Sequence, residues 1–248
     1  MTRKAFVFVL LSALAATQAA CVDGDRDSLP DDGEIGAAGA AIRGGRVASD
    51  YPEAVVIDMK RGGRPLAACS GSLITPTVVL TAGHCVVGFD GWDIRAPYAG
   101  AQRATAAEAA TLYSATDAHA VNPNRHDIGL VFLSTPIQLD AYPTLASAPL
   151  YEGDAIVNIG RIQDGVRYDN HLFVSQPMAV TGGARMGFPF DYMAREIIES
   201  GDSGGPDMAN GTHTIVAVNS GAGGGAEVLA RVDLVKAWID EQVAAHAE

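Results

Sequence analysis

Ser203 stands in Gly201-Asp202-Ser203-Gly204-Gly205-Pro206, a hydroxyl set between glycines and beside an aspartate. Glycines reach backbone conformations that a Cβ forbids. Such a turn can aim the Ser203 oxygen and backbone N–H groups at one point. Acyl transfer needs that pairing, a nucleophile together with donors for the oxyanion it creates. A serine hydroxyl is inert at neutral pH and requires a base, which itself requires an orienting carboxylate. Thr81-Ala82-Gly83-His84-Cys85 offers the base, and Asp127-Ile128-Gly129-Leu130 offers the carboxylate. A lone histidine is more often structural, and His119, His126, His171, His213 and His246 are read that way.

The elements that must position these residues read as strands. Short apolar runs recur between Gly, Pro and Asn/Asp breaks: Ala54–Met59, Leu66–Ile74, Val78–Thr81, Ile128–Leu133, Ala155–Ile159, Leu172–Val174, Thr214–Val218 and Val228–Val232. No helix-length period separates them, which disfavours a βαβ sheet. The last segment differs: Asp233 can cap a helix with Val235, Trp238, Ile239 and Val243 on one face. An all-β body of closed antiparallel barrels, with one C-terminal α-helix outside, suits this pattern.

In these motifs the chain resembles the trypsin/chymotrypsin-type serine proteases. The resemblance covers most of 42–240 and keeps the order His, Asp, Ser. It implies two six-stranded antiparallel β-barrels, about 42–140 and 141–232, a C-terminal helix at 233–246, and catalysis in the cleft between the barrels. His84 is then the base, Asp127 its orienter and Ser203 the nucleophile, with the N–H groups of Gly201 and Ser203 forming the oxyanion hole. Cys69 and Cys85 match the paired segments in which a disulfide staples the loop carrying the catalytic histidine. Ile197 falls at the floor of the primary pocket, where an apolar side chain favours small or aliphatic substrate residues. Ser200 and the wall strand Asn219, Ser220 and Gly221 complete that pocket. Asn219 is taken to replace the serine that the family often has beside the catalytic aspartate.

The resemblance also implies a zymogen. Ile42-Arg43-Gly44-Gly45 matches the family's mature start, so cleavage at Ala41-Ile42 by an activating protease would free an amine to pair with Asp202. Arg43 stands where the family has an aliphatic residue, and Ala40-Ala41 would suit an activator that favours small residues. The implied function is a secreted serine endopeptidase, monomeric, acting on peptide or protein substrates and needing no metal or cofactor. A zinc reading fails because His84 has no second ligand pair at useful spacing. Two other classes stay open. One is a non-catalytic secreted binding protein on the same scaffold, which the Arg43 and Asn219 departures would suit. The other is a serine esterase, since Gly201–Gly205 also fits G-x-S-x-G, but that fold runs Ser, acid, His and alternates strands with helices.

The start of the chain reads as an export signal over 1–20: Arg3 and Lys4, an apolar core from Ala5 to Ala16, then small residues. That core is short of the ~20 apolar residues of a membrane span. Cys21 directly after it resembles a lipoprotein cleavage site, although Gln18 occupies a position that is usually aliphatic. Cleavage after Ala19 or Ala20 fits nearly as well, so a secreted or periplasmic protein and a lipid-tethered one both stay open. Residues 21–41 are acidic and small, with little to bury, and read as a linker or propeptide. With a formal net charge of −12 over 248 residues, the surface does not favour nucleic acid or anionic membranes. A lipid on Cys21 would be the one membrane attachment.

Overall fold

The computed structural model describes residues 45–113, 121–122 and 124–246. The leader, Cys21, the acidic linker, Ile42, Arg43 and His119 lie outside the described residues. Among the described residues no helix is long and apolar enough to cross a membrane.

Six strands close into an antiparallel barrel in the order Ala54–Arg61, Arg64–Thr75, Val78–Thr81, Gly129–Leu133, Gln102–Thr111, Gly91–Ala96. The pleat sends alternate side chains to opposite faces, and Gly91–Ala96 follows this strictly, burying Trp92, Ile94 and Ala96. Ile57 faces Cys69 across one strand pair and Val79 faces Val131 across another. The barrel is filled by Val55, Ile57, Leu73, Val79, Ile94 and Val131, with Cys69 and Cys85 among them. Burying each such aliphatic side chain contributes about 1.5–3 kcal/mol.

The second half is a ten-stranded sheet whose main path runs Arg46–Val47, Phe173–Val174, Ala155–Gly160, Pro206–Ala209, Thr214–Gly223, Ala226–Arg231, Asp191–Arg195, Thr181–Gly182. This half does not close. Its terminal members, Arg46–Val47 and Thr181–Gly182, are two-residue strands that do not pair with each other. The two expected six-stranded barrels are thus one closed barrel and one open ten-stranded sheet.

The helix occupies Lys236–Ala245 and not 233–246. Asp233 does not cap it, because both carboxylate oxygens are taken by Arg231, at 2.6 and 3.0 Å. Val235 is the N-terminal boundary residue, without a side-chain cap. The apolar face behaves as expected: Val235 and Ile239 are buried, and Trp238 and Val243 pack against the same cluster.

Candidate active site

His84 sits in a short 3-10 turn, Gly83–Cys85, that follows the barrel strand Val78–Thr81. Gly83 is required there, since a Cβ would come within 2.2 Å of the Tyr113 Cβ. A disulfide between Cys69 and Cys85 ties the turn to the strand Arg64–Thr75. The Trp92 indole N–H holds the Cys85 carbonyl at 3.0 Å. The two sulfurs and a His84 ring nitrogen lie within 4.8 Å of one another, but sulfurs spent in a disulfide offer no thiolate to a metal.

Asp127 enters from the start of Gly129–Leu133 and is 1% exposed. Its Oδ1 accepts the His84 backbone N–H at 2.9 Å. Its Oδ2 lies 2.8 Å from His84 Nδ1 and accepts the Ser220 hydroxyl at 2.6 Å. An ionised carboxylate only accepts, so Nδ1 carries the ring proton and Nε2 is left with its lone pair. Among the described residues neither His84 Nε2 nor Ser203 Oγ has a hydrogen-bond partner in the protein. Such bonds commonly tighten only with substrate in place. His126 turns away from the site, its ring 4.2 Å from that of Phe190. Burial, and then Arg231, lower its pKa.

The turn carrying Ser203 is fixed by its glycines. Gly201 and Gly204 have φ of 119° and 78°, in the region that favours glycine. A Cβ on Gly204 would lie 2.0 Å from Thr81 Oγ1 and 2.6 Å from the Ser70 carbonyl, so this turn is packed flush on the first barrel. The Ser203 carbonyl accepts the Ser70 N–H at 2.8 Å, and the Ser70 hydroxyl donates to the Gly201 carbonyl at 3.1 Å. The N–H groups of Asp202, Gly204 and Gly205 donate to Glu199, Asn219 and Asp202 carbonyls at 3.0, 2.8 and 2.9 Å. Those of Gly201 and Ser203 donate to no protein acceptor among the described residues. Asp202 is buried, and its carboxylate accepts the N–H of Ile162 at 2.8 Å and of Glu199 at 2.9 Å. Burial pushes its pKa up to about 6, opposed by N–H donors from Glu199, Ile162 and Arg161.

Two expectations for the pocket change. Ser220, not Asn219, is the residue beside Asp127. A register shift between Asn219 and Gly221 leaves Ser220 out of the pairing, while Asn219 stays in register opposite Leu229 and is 0% exposed. Asn219 is therefore no pocket wall; its amide binds Asn158 and the carbonyls of Ile159 and Asp202. Ile197 packs with Ile156, Phe173, Tyr192 and Leu229 in the core of the second sheet, and its N–H donates to Glu227 at 3.2 Å. Ser200 is exposed and Gly221 partly so, with Val121 Cγ2 2.4 Å from where a Gly221 Cβ would stand.

Sequence reasoning missed four buried residues around the site: Asn158, Asp191, Asp207 and Glu227. Asp191 has no hydrogen-bond partner on either oxygen, and burial, then the nearby Asp127 charge, push it up to about 7. The available signal was an acid inside an otherwise apolar strand, as at Glu227 before Val228-Leu229-Ala230.

No curated protein matches the chain. A scabies mite inactivated protease paralogue superposes with a TM-score of 0.66 at 18% identity, over 84% of this chain and 98% of its own. A collagenase gives 0.66 at 18%, over 83% and 97%. Human heparin binding protein gives 0.62 at 21%, over 80% and 95%. At these identities the likeness is one of fold, and the first of them is described as inactivated. The trypsin family model spans residues 42–239, and with that match the chain belongs to the trypsin family.

Proposed function

We propose that this chain is an exported serine endopeptidase. The observation that carries this reading is the chain of contacts Ser220–Asp127–His84 beside a turn whose Gly201 and Ser203 N–H groups are unspent. In the proposed reaction His84 Nε2 takes the Ser203 hydroxyl proton as Oγ bonds to the scissile carbonyl carbon. Asp127 holds the ring and stabilises the imidazolium. The carbonyl electron pair moves to oxygen and is received by the two N–H groups, each worth about 3 kcal/mol at such a centre. His84 then protonates the departing amine, and water repeats the sequence on the acyl-enzyme, releasing the acid and restoring Ser203.

Activation by cleavage at Ala41-Ile42 is part of the proposal. Among the described residues Asp202 is a buried carboxylate served only by neutral N–H donors. A free α-amine, cationic at neutral pH with a pKa of about 8, would supply the missing charge. The substrate preference is for small or aliphatic side chains. Ile197 is packed in the core of the second sheet and Glu227, which accepts its N–H, is 0% exposed, so neither position presents a carboxylate to a Lys or Arg side chain. Faster cleavage after Arg than after Ala or Val would overturn this part.

The deciding experiment is the intact mass before and after a fluorophosphonate, with Ser203→Ala as control. One adduct on a chain starting at Ile42, absent from the variant, is the expected result. An Ile42-starting chain without adduct would favour the non-catalytic binding reading, for which the inactivated neighbour is the precedent.

A further inference from the structure

Beneath the Ser203 turn the second sheet holds a polar cluster that none of the proposed steps uses. Asp207 and Asn158 face each other across one strand pair. Asn158 and Asn219 exchange two amide hydrogen bonds, one from Asn219 Nδ2 at 2.9 Å and a short one in return. Asn158 Nδ2 also reaches Glu227 Oε1 at 3.4 Å, and Glu227 Oε2 accepts the Ile197 N–H. All four side chains are 0% exposed. Neither oxygen of Asp207 has a hydrogen-bond partner. An unpartnered ionised carboxylate in such a place costs far more than a neutral one, and the group keeps its proton instead.

The cluster is joined to the turn through one residue. Asn219 accepts the Gly204 N–H at 2.8 Å, donates its own N–H to the Gly205 carbonyl at 2.9 Å, and donates its amide to the Asp202 carbonyl at 3.2 Å. Three residues of the turn, on both sides of Ser203, are thus set by Asn219. A Cβ on Gly205 would stand 3.0 Å from that amide and 1.9 Å from the Ile159 carbonyl, so the turn cannot shift without moving it.

We propose that Asn219 is a positioning residue for the oxyanion turn and that Asp207 and Glu227 are proton-carrying groups whose ionisation, passed through Asn158 and Asn219, disorders that turn. This rests on the endopeptidase reading. Burial raises both acids, Asp207 well above the ordinary carboxylate range with the Glu227 charge adding to it, and Glu227 to about 7, opposed by the Ile197 and Ile198 N–H groups and Asn158. The strands packed against them bring no relief. Ala155–Gly160 and Thr214–Gly223 carry no ionisable side chain. Asp191–Arg195 brings Asp191, which acts with Asp127 and Arg231, and Arg195, which is exposed. The 196–202 segment brings Glu196, bound to the Gly225 N–H, Glu199 and Asp202. Arg231, on the strand of Glu227, is held by Asp233 and lies over the Tyr192 ring. For acids raised in the folded state the folded chain holds more protons, so stability is full below the unfolded value of about 4.5 and falls as pH climbs through about 7.

The test compares the Ile42-starting chain with its Asp207→Asn/Glu227→Gln variant, which keeps neutral groups of the same shape. Fluorophosphonate labelling rate and Tm are measured from pH 4 to 9. Every other ionisable group is common to the two chains, so the ratio of rates isolates the two acids. The variant is expected to label at least ten times faster than the parent at pH 9 and equally fast at pH 5, with a Tm that no longer falls between pH 4.5 and 8. Superimposable profiles would overturn the proposal, as would a parent-only rise in Tm on adding CaCl2 at fixed ionic strength, which would mean a cation and not a proton satisfies the acids. If the double variant does not fold, Glu227→Gln alone gives the same comparison. Asn219→Leu should label slowly at every pH while keeping the parent's fall in Tm; labelling at the parent's rate would remove its positioning role. No adduct at any pH, with the Tm difference intact, would sink the endopeptidase reading and leave the acid pair standing.

Discussion

The two halves of the molecule treat buried acids in opposite ways. The first barrel is closed, filled with aliphatic side chains and a disulfide, and Asp127 and Glu53 are each matched to a histidine at 2.8 and 2.6 Å. The second sheet is open and buries Asp191, Asp202, Asp207 and Glu227, all raised by burial and none bridged to a cation among the described residues. The barrel holds the base's turn by a disulfide and rigid packing, with Asp127 paired to the His84 ring. The sheet holds the nucleophile turn on groups that stay neutral only while protons are available. Rigidity and titratability are thus assigned to different sides of one site.

Three measurements would break or sharpen this contrast. The largest effect belongs to Asp127, where the halves meet through His84 and Ser220. Asp127→Asn keeps the shape but lets the ring take the wrong tautomer, and should lower kcat by about 10⁴ with little change in Tm. A loss below tenfold would mean that His84 is not the base. Next is the staple of the first barrel: Cys69→Ser/Cys85→Ser opens a loop of 16-residue separation and should cost about 3 kcal/mol, read by denaturant unfolding. Because no titrating group is involved, that cost should be the same at pH 5 and pH 8; a strong pH dependence would blur the division between the halves. The smallest effect is a gain. Asp191 is raised to about 7 against an unfolded value near 3.8, so it lowers stability as pH rises between the two. Asp191→Asn should raise Tm at pH 8 and leave it unchanged at pH 4, and an equal shift at both would show that the carboxylate charge is not the cause.

Ser203, His84 and Asp127 were legible because short motifs with obligatory glycines surround them. The contacts at Gly83 and Gly204 show why no other residue serves there. The apolar strands were legible for the same local reason. Gln102–Thr111 was not: it is rich in alanine with alternating exposure and becomes a strand because the barrel needs a sixth member to close. Asp207 and Glu227 were missed for a different reason, although Glu227 amid apolar residues was a signal. An acid on a strand ordinarily faces water, and only the pairing of their strands with sheet neighbours, together with contacts from Asn158 and the Ile197 segment, encloses them. Ser220 meets Asp127 at a bulge after Asn219 that leaves no mark in the sequence.

The open sheet ends on Arg46–Val47 at one side and Thr181–Gly182 at the other. An unpaired edge is a template for a foreign strand in proportion to its length, and a two-residue edge gives an incoming strand almost no ladder to extend. Brevity at the rims thus protects this half from edge-to-edge aggregation, as closure protects its neighbour.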